Sequence, residues 1–324
     1  YTGVTTVNAG VLRLNSPNAL PGGIASSGGT SALTLSGFGV LGLGNGDFER
    51  GTGTGVTQVQ WSGSGGFAAY GSDRAVDLGG SGATVTWNAG DFVTTGSTLV
   101  FGATDATHTL DFQNPINLGS GARTIQVNDG AAAIDATLSG LLSGSSGGIV
   151  KTGAGTLQLS MATTYTGATS VSAGTLLLDG ASAAITSSSG VALSGGTLLL
   201  SNTSALNNTD RLNDSGTVIL SGGTLNFSHT GGAASYSETT GALTVSGSGS
   251  QIITSRAASG QTSTLTFASL SLGGNLQFTG DALGLNDRNR LFITAQADGP
   301  IGLLSTYFDP LNNVTTQASY TLAN

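Results

Sequence analysis

The sequence predicts an all-β chain wound as a right-handed parallel β-helix of roughly 13–16 coils. Three observations lead there. Short apolar runs with period-2 alternation recur along the chain, such as Val11–Leu14 (VLRL), Thr156–Leu159 (TLQL) and Thr175–Leu178 (TLLL). Gly, Ser, Asn or Asp bounds nearly all of them, the signature of strands ended by turns. The strongest runs also repeat at a near-constant interval: Leu176 is followed by Leu198, and Trp61 by Trp87. A unit of roughly 20–27 residues with two or three short strands cannot bury its own inner face, whereas stacked units bury a continuous core.

Taken in order, the runs begin with Val11–Leu14, Ala32–Leu35, Val56–Trp61 and Ala75–Leu78. Ala83–Trp87, Thr98–Phe101, Thr109–Phe112 and Thr124–Val127 follow. After Thr156–Leu159 and Thr175–Leu178 come Val191–Leu193, Thr197–Leu200, Thr217–Leu220 and Thr224–Phe227. Ala242–Val245, Thr264–Phe267 and Asn275–Phe278 complete the series. Each supplies inward apolar residues that stack on the next coil, with outward Thr and Ser suited to a pleated surface. The expected inward ladder is Leu12, Leu14, Leu157, Leu159, Leu176, Leu178, Leu198, Leu200, Leu225 and Phe227. Glycines at AG, GG and SG corners permit positive φ where the chain turns. No stretch carries a ten-residue apolar stripe of helical period; Thr279–Phe292 holds one helical turn at most. The competing fold is a sandwich, which needs hairpin turns. Asp-Gly occurs only at Asp129, Asp179 and Asp298, too seldom to join so many strands.

Composition narrows the function. The 324 residues include 54 Gly and no Cys, and only 8% are charged, against about 25% in ordinary globular chains. The net charge is −8, and the nine cations, eight Arg and Lys151, are scattered singly apart from Arg288 and Arg290. No basic stripe tracks a phosphate backbone, so nucleic acid is excluded as a partner. Thiol chemistry and disulfides are excluded with the cysteines. No apolar run is long enough for a transmembrane helix.

The segment Gly147–Gly180, GGIVKTGAGTLQLSMATTYTGATSVSAGTLLLDG, resembles the autotransporter-associated β-strand repeat, also called the passenger-associated transport repeat. Tyr1–Asn15, YTGVTTVNAGVLRLN, is similar to the second half of that repeat. Stretches such as GSGGFAAYGSDRAVDLGG and LDFQNPINLGSGARTIQVND resemble the spacers of large bacterial surface proteins that carry it in tandem. The resemblance implies a secreted β-helix on, or released from, the surface of a bacterium with an outer membrane. It implies a structural or secretion-promoting role and brings no catalytic residues. The family's membrane β-barrel is not among these residues. Residues 1–324 are expected to form a single continuous β-helix segment of a longer repetitive chain. Open coil edges near Tyr1 and Asn324 are then expected to continue the axial ladder, by head-to-tail stacking of copies or by covalent continuation, with no cap.

Sites for chemistry are sparse. Many β-helices cleave acidic polysaccharides, which takes clustered carboxylates, a Ca2+ cage or a basic residue in a groove. Asp73, Arg74 and Asp77 form one charged group, and Asp287, Arg288 and Arg290 another; both read as corners held by ion pairs and Asx turns. His108 and His229 are the only histidines, each flanked by Thr or Ser, and read as turn residues and not metal ligands. Leu41–Glu49 (LGLGNGDFE) is similar to a Ca2+-binding glycine-rich nonapeptide, but its Gly–Asp spacing is off by one and it occurs once. The glycines of GAGTLQLS are followed by no Lys-Ser/Thr pair, so they form no phosphate loop. Trp61, Phe67 and Tyr70 are the one candidate glycan-stacking patch; core packing is the plainer reading. The expectation is thus a structural extracellular fibre, with no catalytic, metal or cofactor site. A glycan-binding adhesin is the alternative, and a polysaccharide-degrading enzyme a lesser one.

Overall fold

A computed structural model describes residues 1–27, 29–202, 208–229, 235–255, 261–280, 289–295, 305–309 and 314–318. Among these residues there are 29 strands and no helix. The strands stack in parallel as a β-solenoid of about ten turns. The coils are longer, and therefore fewer, than the Leu176–Leu198 interval suggests. That interval is among the shortest steps: Leu176 does pair with Leu198, but Leu12 pairs with Leu41, Leu41 with Phe67, and Phe67 with Phe101. The extra residues lie in loops between strands.

The chain divides into two compact units, Tyr1–Gly167 and Ala168–Asn324. In the first, one parallel ladder stacks Val11–Leu14, Gly39–Leu43, Gly65–Ala69, Leu99–Phe101, Gly121–Val127 and Gly147–Thr152. A second stacks Arg74–Val76, Leu110–Phe112, Ala136–Leu138 and Thr156–Leu159. Two three-stranded ladders complete the wall: Thr5–Val7 with Leu33–Leu35 and Val59–Trp61, and Val85–Thr86 with Ile116–Asn117 and Leu142–Ser143. Between them runs a column of aromatic rings. Trp61 contacts Phe67 and Phe92 at 5.9 and 5.1 Å, and Phe92 and Phe101 each meet Phe112 at about 6 Å. Edge-to-face packing fills the wide interior of a three-walled coil with few side chains.

The second unit has two walls. One stacks Thr169–Val171, Gly190–Leu193, Thr217–Leu220, Tyr236–Val245, Ser263–Leu272 and Asn289–Ile293. The other stacks Thr175–Leu178, Thr197–Asn202, Thr224–His229, Ser250–Ser255, Leu276–Gly280 and Ser305–Asp309. Apolar residues meet in register, Leu176 on Leu198 on Leu225 and Leu178 on Leu200 on Phe227, and all six are fully or almost fully buried. The walls are parallel except at Ser305–Asp309, which pairs antiparallel with Val314–Ala318. That is a departure from an uninterrupted parallel ladder; residues 319–324, including Asn324, lie outside the described residues.

Local sequence accounts for the corners. In both stretches that share the YTG…AG pattern, a glycine in the left-handed region separates two short strands: Gly10 at φ 64° and Gly174 at φ 62°. There a Cβ would be strained, so the turn selects Gly.

Candidate functional site

The expected inward residues Leu14, Leu157 and Leu159 are at most 3% exposed. Leu12 is the exception at 39%. Its partner Leu41 lies between two strands and is fully buried, whereas Val11–Leu14 ends its ladder and has one neighbour among the described residues. Face assignment by alternation is therefore insufficient at Leu12: burial also needs a coil on each side.

The aromatic patch is corrected. Trp61, Phe67 and Tyr70 are all at most 2% exposed, so they present no platform to a sugar. Trp61 and Phe67 belong to the interior column, and Trp61 donates its indole N–H to the Gly65 carbonyl at 2.9 Å. Tyr70 packs on the opposite face with Val40, Ala68 and Val100. Its hydroxyl donates to Asp105 at 2.6 Å, and Arg13 lies 4.5 Å over its ring. Burial, then the bond to Asp105, raises the phenol's pKa.

The charged groups singled out in the sequence do not converge. Asp73 accepts from the Thr109 amide, and Arg74 donates to the Gly44 carbonyl. Asp77 accepts from the Gly82 amide and the Asn114 side chain. Each ties a loop to the wall through backbone, which is what an Asx corner does. Arg290 bonds the Thr264 hydroxyl; Asp287 and Arg288 lie outside the described residues. His108 is half-buried and shares a 2.8 Å bond with Thr107. In Leu41–Glu49 the Asp47 carboxylate accepts from the Ala75 amide and Phe48 is fully buried, so the stretch is built into the wall.

Three cations that sequence reasoning left as scattered charges are fully buried: Arg50, Lys151 and Arg211. All three donate to backbone carbonyls. Arg50 spans Gly23, Ser31 and Pro21. Lys151 donates to Thr152 and Gly153 at 3.0 and 2.8 Å. Arg211 donates to Gly180, Ala183 and Ser201 and twice to the Asn202 amide oxygen. Burial lowers the Lys151 pKa to about 8, partly offset by Asp135. Burial likewise lowers the pKa of both arginines, which stay charged. Their isolation in the sequence does not mark them, because Arg13 and Arg123 are equally isolated and are not buried.

Around Arg211 lies the densest polar group among the described residues. Glu238, 1% exposed, accepts from the amides of Arg211 and Leu212 at 2.9 and 3.2 Å. Burial raises its pKa to about 8, against the two amides, with Asp210 and Asp214 adding like-charge repulsion. His229 packs 4.5 Å from the Phe227 ring and 4.1 Å from the Tyr236 ring, with Nε2 3.3 Å from the Ser263 hydroxyl. Burial, then Arg211, lowers its pKa to about 4 and holds it neutral. Carboxylate oxygens of Asp210, Asp214 and Glu238 lie within 4.8 Å of one another, a spacing that can hold a cation. The amide bonds of Glu238 already orient it as a brace for the Arg211 backbone. Asp210 and Asp214 are exposed and Glu238 is buried, so the group runs from the wall out to the surface.

The molecule is thus a solenoid whose polar interior serves its own backbone. Its repeat is identified by a family model: the passenger-associated transport repeat matches residues 1–14 and 149–178. No curated protein and no solved structure matches the chain. The repeat and the solenoid together fit an autotransporter passenger domain, a secreted or cell-surface class in bacteria. Among the described residues no helix is long and apolar enough to cross a membrane.

Proposed function

We propose that this chain is a structural stretch of an extracellular fibre, built by axial stacking of β-solenoid coils on the outer surface of a bacterium. It works as a spacer and has no catalytic role. One observation carries the reading: apart from Ser305–Asp309 with Val314–Ala318, the described strands within each unit pair in parallel, coil on coil, and buried charged side chains hold that stack. Lys151, Arg50, Arg211 and Glu238 are all buried and all bonded to backbone. The remaining surface is dominated by Ser, Thr, Gly and Asn, which solvate a rod without specifying a substrate. Negative-stain micrographs of native material test it. Elongated filaments with an axial repeat near 4.8 Å per coil in diffraction are expected. Discrete globular particles would overturn the reading.

A further inference from the structure

Asn45 and Gly46 form the only Asn-Gly pair in the sequence. They follow the strand Gly39–Leu43 and lie in a gap between two anchors. On one side the Gly44 amide donates to the Leu14 carbonyl at 2.9 Å, and the Gly44 carbonyl accepts from Arg74 at 2.9 Å. On the other the Asp47 carboxylate accepts from the Ala75 amide at 2.8 Å, and the Phe48 amide donates to the Ala75 carbonyl at 2.9 Å. In the gap Asn45 is exposed, and Gly46 is half-buried with φ at 88°. Among the described residues neither of the two amides nor the Asn45 side chain has a hydrogen-bond partner.

Other asparagines at the corners have their carboxamides engaged. Asn88 accepts from the Thr95 amide, Asn117 from the Gly119 amide and Asn213 from the Ser215 amide. Asn128 accepts from Gln126 and donates to the Gly102 carbonyl. Asn45 differs in its freedom and in the residue that follows it. A main-chain nitrogen can attack the carboxamide carbon of the preceding asparagine once both groups are free to turn towards each other. A following glycine favours the attack most, because no Cβ shields its nitrogen and its φ is open on both sides. At Asn45 no ladder bond opposes the rotation that brings the two groups together.

We propose that Asn45–Gly46 is a self-modification site, at which the folded chain converts Asn45 to isoaspartate and aspartate with water as the only co-reactant. The Gly46 nitrogen bonds to the Asn45 Cγ and the Cγ–Nδ2 bond breaks. The displaced nitrogen takes the Gly46 amide proton and leaves as ammonia. Water then opens the five-membered imide. Opening at the Cγ carbonyl gives aspartate, and opening at the main-chain carbonyl gives isoaspartate, in which the chain runs through Cβ. Either product adds a negative charge beside Asp47. Isoaspartate also lengthens the main chain between the Gly44 and Asp47 anchors by one methylene. That added length slackens the bond from the Ala75 amide to Asp47, which ties this corner to the next coil.

The test incubates the full chain at mildly alkaline pH, folded and unfolded in guanidinium chloride, and maps asparagine conversion by peptide mass spectrometry. The peptide that holds Asn45 is expected to gain one mass unit, with isoaspartate among the products. Conversion in the folded chain is expected within about threefold of that in the unfolded chain, because no ladder has to open first. The N45Q variant is expected to lose the gain. In the converted chain the Ala75 amide is expected to exchange at least about tenfold faster. An Asn45 that stays intact in the folded chain while the unfolded chain converts would overturn the proposal. So would aspartate without isoaspartate, or an equal gain in N45Q. Unchanged exchange at Ala75 would overturn the slackening of the corner.

Discussion

Replacing Arg50 tests whether the buried cations are structural. Arg50 is fully buried and meets no carboxylate among its described hydrogen-bond partners. Its Nε and Nη2 share the Gly23 carbonyl, its Nη1 reaches Ser31 at 2.6 Å, and Nη2 also reaches Pro21 at 2.9 Å. In R50M the methionine replaces most of the volume but leaves the acceptors behind. Pro21 keeps a second donor, the Thr30 amide at 3.0 Å. Among the described residues, the Gly23 and Ser31 carbonyls show no second donor of that kind. Leaving a buried acceptor unmade costs about 1–3 kcal/mol, so two of them cost about 2–6 kcal/mol. Recovery of the guanidinium's own desolvation penalty offsets part of this. The expected loss is about 3 kcal/mol, with R50K intermediate because an ammonium lacks the fork that reaches two carbonyls at once. Urea unfolding followed by the fluorescence of Trp61 and Trp87 reads this unit, which holds both tryptophans. Hydrogen exchange should place the damage in residues 20–32, leaving Leu110–Phe112 protected. A loss under about 1 kcal/mol would refute the reasoning, because it would mean that water or a shifted loop satisfies both carbonyls.

The other predictions concern faces and pH. L176D puts a carboxylate into a dry stack and should cost several kcal/mol, about 4 by the usual penalty for an unpaired buried charge, while T175D on the half-buried outer side stays within about 0.5 kcal/mol; equal protease resistance of the two would show that the faces are misassigned. Lys151, at about 8 when folded against 10.5 ordinarily, lets the unfolded chain bind a proton the folded chain does not, so stability should fall as pH drops from about 10.5 to 8 and then level, and K151M should flatten that slope in urea titrations. Glu238, raised to about 8, gives the opposite slope: stability falls as pH rises from about 4.5 to 8, and E238Q removes it. His229, held near 4, costs stability as pH falls from about 6.5 to 4, and H229F, which keeps the ring contacts to Phe227 and Tyr236, should remove that loss in acid titrations.

Alternation and glycine placement make the strands and corners legible in the sequence alone. TLLL at Thr175 and TLLL at Thr197 forecast both the strand and its face, because side chains on a pleated strand have only two directions. The coil length is less legible. Leu176 to Leu198 is one of the tightest steps, and loops of no fixed pattern lengthen others, as between Phe67 and Phe101. The buried cations are hidden for a different reason. Arg50 and Arg211 take their acceptors from main chain, and a carbonyl leaves no mark in a sequence as a paired Asp or Glu does. Glu238 is hidden likewise, since its partners are the amides of Arg211 and Leu212.

Leu12 marks the limit of reading burial from a strand. It occupies the same place in the same pattern as Leu176, after a glycine in the same turn, and the backbone follows the sequence at both. Burial does not, because in a solenoid it is set by coils lying 21 to 36 residues away in either direction. A strand with one neighbour keeps its conformation through that neighbour's ladder bonds, so Val11–Leu14 stays extended on Gly39–Leu43 while Leu12 remains 39% exposed. Local sequence therefore fixes shape, and stacking fixes which apolar residues become core.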